Sequence, residues 1–323
     1  MNEWFNSLDI KLQVIFISSL TSIVIFFLGW LFRVIYERTS LNYRLKKEFQ
    51  FEQKKKLKEE IAKNKTHLLN SIEELNHRLW NFSQHVDKNW HKIEDPQWHE
   101  NDQYYLKSFI YRYLKFLYWT LKTEKDTISV DTTIADNSDI LFLKYVKTFK
   151  DIFTDADLLE ELNYDRSKNT NHFFKNDLVG YSKYVLNPNG RVLDFDEFQS
   201  VINRKHTEFK EVVNYFSNIE NNKNDKNDKN LNILRCFHLI SIQFLNTFGH
   251  DYQKTKISKI YRITDLYRPE IQIKNGLNEF IEKSKLKSEM KQMLSKITVP
   301  NNGYHKWRAD LKRQYLKLST NWS

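Results

Sequence analysis

Four histidines close together, His77, His85, His91 and His99, are by residue type the side chains best suited to chemistry, and Glu94 and Glu100 lie among them. Imidazole and carboxylate suit zinc or manganese, so this stretch could in principle hold a metal. Its spacing argues otherwise. No pair follows HExxH or a zinc-knuckle interval, and the one cysteine of the chain, Cys236, is far along the sequence. Trp80, Trp90 and Trp98 are interspersed with the histidines, and Asp95 and Pro96 mark a turn. Amphipathic rings at the junction of two elements account for that pattern better, and no metal site is expected. No cofactor is expected either. Glycine-rich phosphate loops of the GxxxxGK(S/T) or GxGxxG kind are absent, which leaves nucleotide hydrolysis and dinucleotide redox chemistry without a visible seat. GxSxG and Cys-His arrangements are missing as well, which weakens an enzymatic reading without removing it.

Arg78 and His85 bracket the segment RLWNFSQH. This Arg-x6-His element resembles the Arg-x(4–6)-His pattern of HEPN-type ribonucleases. Those are helical bundles that dimerise so that paired histidines and arginines work on the RNA phosphodiester. The resemblance implies catalytic roles for Arg78 and His85. The position after the arginine, usually polar in that pattern, is Leu79 here.

The elements that must carry these residues begin with Val14 to Phe32, VIFISSLTSIVIFFLGWLF, nineteen residues without a charge. As a helix this run reaches about 28 Å, close to the roughly 30 Å of a bilayer's hydrocarbon core. It is too long for a signal-peptide core. The leader sets Glu3 and Asp9 against Lys11, and bulky Trp30, Leu31 and Phe32 occupy the place of a cleavage site. Arg33, Arg38, Arg44, Lys46 and Lys47 follow the run and only Lys11 closely precedes it, so the expectation is N-terminus out and body in the cytoplasm of a bacterial inner membrane. Ser18, Ser22, Ile25 and Gly29 share one face at helical spacings, and Arg33 continues the line. Two readings fit. The hydroxyls bond back to their own backbone, or the stripe packs against other copies or lines a narrow pore.

From Arg33 to about Val86 no proline or glycine interrupts, which predicts a stalk helix over 37–93 after a leader and membrane helix over 1–36. Lys54 and Lys55 belong to its lysine-rich first half, which serves as a solvated face or, with Arg38, Arg44, Lys46 and Lys47, meets anionic headgroups. Leu57, Ile61, Leu68, Ile72, Leu75 and Leu79 then recur at threes and fours. That face must be buried, in a coiled coil with a neighbouring copy or against the body.

The body, 94–323, reads as helical. The chain has 323 residues with only 6 Gly and 4 Pro, few for tight hairpins, and the fold class expected is all-α. A net charge of +10 suits anionic lipid or nucleic acid, and composition does not choose between them. Tyr104 to Lys122 is aromatic and helical in period, a core helix or, with Lys107, Arg112 and Lys115, a base-stacking surface. Ile140–Phe153 and Ala156–Leu162 follow as a helix pair, and Asp194–Ile219 as one helix opened by a capping box at Asp194 and Glu197. The segment 220–230 is a low-complexity loop. Leu231–Phe248 is the most apolar stretch of the body and reads as its central buried helix, in which Arg235 and His238 must find partners. Two or three short helices come next, and 304–322 is a basic, aromatic final helix.

One N-terminal span, a long basic stalk and a motif-poor helical body resemble in layout the single-span effectors of bacterial anti-phage systems, including CRISPR-associated ones. The resemblance implies a homo-oligomer that permeabilises the membrane in response to a cytoplasmic partner protein, nucleotide or nucleic-acid signal. Ser18, Ser22 and Gly29 would pack or line the bundle, and Arg33 would ring its inner mouth. A tethered ribonuclease and a membrane scaffold or sensor without activity are the alternatives.

Overall fold

A computed structural model of the chain describes residues 9–101, 103–128, 132–167, 170–221 and 228–298. The described residues are all-α, with one isolated antiparallel bridge, Leu186 to Val192, and no strand. Helix α1 runs from Ile10 to His85 without a break, as expected of 76 residues with no proline and only Gly29 as glycine. It stops at His85, short of the expected residue 93, because a 3-10 turn at Val86–Lys88 leads into Asn89, whose φ of 56° cannot continue a helix.

The chain divides into two compact units, Met1–Lys58 with Val130–Ala135, and Glu59–Ser129 with Asp136–Ser323. In the first unit, no described residue of α1 before Leu57 is buried. Among the described residues, this is the one helix long and apolar enough to cross a membrane. Ile25, Phe26 and Phe32 are 63%, 70% and 69% exposed. Hydroxyls of Ser18 and Ser19 donate to Ile15 O, Thr21 to Ile17 O and Ser22 to Ser18 O, all within 2.7–3.0 Å.

The second unit contains the amphipathic half of α1, so the basic and amphipathic parts of the expected stalk fall in different units. Leu68, Leu69, Ile72, Leu75, Leu79 and Phe82 are buried, and what meets this face of α1 is the body. Cross-links fix the contact. His67 stacks on Trp119 with centroids 4.2 Å apart, Asn64 donates to Asp126, and Ser241 donates to Asn76 at 2.8 Å. The helices behind it are α2 (Tyr104–Thr127), α3 (Asn137–Asp151), α4 (Lys175–Tyr181), α5 (Phe195–Arg204), α6 (Lys210–Ser217), α7 (Lys229–Phe248), α8 (Ile257–Tyr267), α9 (Lys274–Lys283) and α10 (Lys287–Thr298).

Phe109, Tyr113, Phe116 and Leu117 line the fully buried face of α2, where edge-to-face aromatic contacts tie Phe116 to Phe149 and Tyr113 to Phe153 and Phe216. Core packing therefore claims that face. Helix α7 is the buried centre, with Asp228 capping its start through Leu231 N and all of Asn230–Ile242 buried. Extended backbone at Gly249, with ψ of 159°, ends it, and glycine is required there because a Cβ would lie 2.5 Å from Leu245 O. Ala156–Leu162 is a 3-10 helix rather than an α-helix. The single helix expected over Asp194–Ile219 is two, α5 and α6, with the expected capping box at Asp194 and Glu197. Its break lies at Lys205–Phe209, where the His206 ring stacks on His99 at 3.8 Å and Phe209 packs on Tyr184 at 4.4 Å, so tertiary contacts override helix propensity. Most of the loop at 220–230, residues 222–227, and the basic tail at 304–322 lie outside the described residues.

Candidate functional site

Each of the four clustered histidines has a partner of its own. His91 is buried against Phe82 with Nε2 2.9 Å from Ile219 O, His99 stacks on His206, His85 lies 5.4 Å from Trp90, and exposed His77 sits 3.8 Å from Glu73. Among the described residues no three of His, Cys, Asp and Glu converge as a metal would require.

A cleft of about 510 Å³ opens beside the same segment, walled by Glu74, His77, Arg78 and Asn81 of α1, Tyr105 and Arg112 of α2, and Trp90 from the connection between them. One face of α1 and the first turns of α2 build it, because the apolar sides of both helices are turned into the core and their polar edges meet above it. Arg78 Nη2 donates to Ser108 Oγ at 2.7 Å, and its guanidinium carbon lies 4.3 Å from the Tyr105 ring centre. Arg112 Nη1 donates to Ser108 O at 3.1 Å, which brings a second guanidinium to the same residue. Tyr105 donates its hydroxyl to Asn81 Oδ1 at 3.0 Å and faces Trp90 at 5.5 Å. Glu74, the acid on this wall, accepts from Lys115 Nζ through both oxygens, at 2.9 and 3.0 Å. Burial, and next the Arg112 charge, push Arg78 below the usual arginine range, although a guanidinium stays charged in any protein. Burial raises the Tyr105 phenol, which stays neutral.

Arg78 is thus in the cleft, and His85 is two turns farther along α1, linked to it by the sequence of neighbours Tyr105 and Trp90. The other basic residues of the aromatic helix are engaged elsewhere. Lys107 is buried on His99 O and Asn101 O, and Lys115 is on Glu74. Sequence periodicity missed Trp90, Asn81 and Ser108 as site residues; the available signal was the alternation of tyrosines and cations at the start of α2.

In the first unit, Ser18, Ser22, Ile25 and Gly29 lie along one exposed helix face, and nothing approaches within 4 Å of a Cβ built on Gly29. Arg33 pairs with Glu37 at 2.9 Å one turn on. Arg38, Arg44, Lys46, Lys47 and Lys55 are exposed and Lys54 half-exposed, with Lys47 Nζ 5.6 Å from the Tyr43 ring centre.

Buried polar residues of the body form a lock. Arg235 donates to Glu270 O at 3.2 Å and reaches its carboxylate at 3.4 Å. His238 Nδ1 lies 2.6 Å from the Tyr267 hydroxyl, which also bonds Ser83 of α1. Burial lowers His238 to about 3, so the ring is neutral at physiological pH and shares a single proton with the Tyr267 hydroxyl across this bond. No protein-family model, no curated protein and no solved structure matches the chain, so its own residues carry the functional reading.

Proposed function

We propose that this chain is a single-span membrane effector whose helical body is tethered at the cytoplasmic face of a bacterial inner membrane, and which self-associates through its span to perturb the bilayer. One observation carries the reading. Val14–Phe32 is uncharged, apolar around most of its circumference and uncovered by the rest of the described chain, a surface that water rejects and lipid accepts. Satisfaction of each span hydroxyl by its own helix backbone suits immersion in lipid. Bare backbone at Gly29 offers a neighbouring copy close approach. The Lys and Arg excess after the run supports a cytoplasmic body, and the layout supports a setting in anti-phage defence.

Carbonate extraction of the full chain tests the anchor, and release into the wash would refute it. Mass in mild detergent tests assembly, since a strict monomer encloses nothing. Dye release from vesicles tests perturbation. Gly29→Leu should abolish release, and unchanged release in that variant removes this stripe from the contact.

A ribonuclease reading is favoured by one feature, the half-buried Arg78 in a basic cleft. His85→Ala should then abolish RNA cleavage while leaving vesicle leakage intact. We place it second because His85 lies two turns from Arg78, against Trp90.

A further inference from the structure

The cleft at Arg78 holds more positive charge than its surroundings balance. Neither Arg78 nor Arg112 pairs with a carboxylate among the described residues, and Glu74, the nearest acid on the wall, is committed to Lys115. Each guanidinium carries five N–H donors in a planar fork; Arg78 spends them on Ser108 Oγ and on Tyr105, and Arg112 on Ser108 O, which leaves donors on both. Two half-buried like charges with spare donors are unfavourable alone, and an anion that accepts from both relieves them.

Aromatic surface sits beside that charge. Trp90 is 49% exposed and Tyr105 half-exposed, and both face the cleft. Such rings accept a planar group by stacking. At about 510 Å³ the space falls within the roughly 300–1,000 Å³ typical of small-ligand sites. Inorganic phosphate or an acidic headgroup would satisfy the arginines and leave Trp90 unused.

We infer that this cleft binds a nucleoside phosphate, its phosphate on Arg78 and Arg112 and its base on Trp90. The ligand is a free nucleotide or one unit of single-stranded RNA, which share this chemistry. The inference is independent of the membrane reading and requires no cleavage by His85.

Equilibrium dialysis of the full chain in zwitterionic phosphatidylcholine nanodiscs tests it, with ATP, adenosine, inorganic tripolyphosphate and a decaribonucleotide as probes. Saturable binding of ATP or of the decamer is expected, with adenosine far weaker. ATP alone identifies a free nucleotide as the ligand, and the decamer alone identifies a strand. Arg112→Gln should weaken binding about tenfold or more, as loss of a charge-assisted hydrogen bond does. Trp90→Leu, on an exposed side chain, should weaken ATP or decamer binding severalfold and leave tripolyphosphate unchanged. It carries the test should Arg112→Gln disturb folding, which circular dichroism reports. Absence of saturable binding by ATP and decamer overturns the inference, as does nucleotide affinity indifferent to Trp90→Leu.

Discussion

The two ends of α1 are made of the same helix and treat apolar side chains in opposite ways. Between Val14 and Phe32 the large residues cover all of the circumference except the narrow stripe of Ser18, Ser22 and Gly29, and none is buried. From Leu68 to Phe82 they keep to one stripe, and that stripe is fully covered by the body. Polar groups follow the same division. Hydroxyls of Ser18, Ser19, Thr21 and Ser22 turn back onto carbonyls of their own helix, whereas Asn64, Asn76 and Ser83 reach across to other helices. Periodicity, rather than apolar content, therefore tells which solvent a helix segment meets. A surface apolar nearly all round has no water-facing side, and a stripe demands a second element.

The contrast between the two segments has measurable consequences. The largest effect is expected from removing residues 10–36, which should move the chain wholly from the membrane to the soluble fraction while circular dichroism keeps the body's helical signal. Persistent sedimentation with membranes would show that the body also binds lipid. Next, Ile72→Ala should lower the unfolding free energy by roughly 2–5 kcal/mol in a denaturant titration, as buried large-to-small changes do. Ile23→Ala should leave it within about 0.5 kcal/mol, and equal effects would erase the contrast. The His238 lock adds a pH signature. Its folded pKa of about 3 lies below the unfolded value near 6.5, so its contribution is complete above pH 6.5 and is lost as pH falls towards 3. Stability should drop by roughly 1 kcal/mol per pH unit through that window. His238→Gln should flatten the profile, and an unchanged slope would assign it to other groups. Asn76→Ala, which removes the cross-helix acceptor of Ser241 and leaves its hydroxyl only the bond to His238 O, should remove about 0.5–1.5 kcal/mol in the same titration. Ser22→Ala should change stability and membrane insertion least, by under about 0.5 kcal/mol, because its hydroxyl serves only its own helix. A large effect of Ser22→Ala on assembly would show that the hydroxyl bonds a neighbouring copy.

Much of the fold was legible because local signals and burial agree. An uncharged run, a stripe at threes and fours, and Asp194 followed by Glu197 are each read within one helix, and each is seen in the structure. The break at Lys205–Phe209 was not legible. No proline or glycine marks it, and His99 and Tyr184, distant in sequence, hold its rings. In the sequence Arg78 stands out only by its interval to His85, yet the structure surrounds it with Ser108, Tyr105 and Arg112 from another helix. A pattern within one segment gives the face a residue occupies. It does not give the phase of the neighbouring helix, so convergent sites stay hidden even where both helices are correctly read.

Cys236 is the one thiol in the chain, and it is wholly buried, with burial pushing it up to about 12. It is inert towards maleimides and neighbouring thiols while the body is folded. A reporter cysteine introduced at any exposed position can therefore be tagged alone in the native background. Spin-label depth along Val14–Phe32, and disulfide trapping between copies, become readable without first removing a native sulfur.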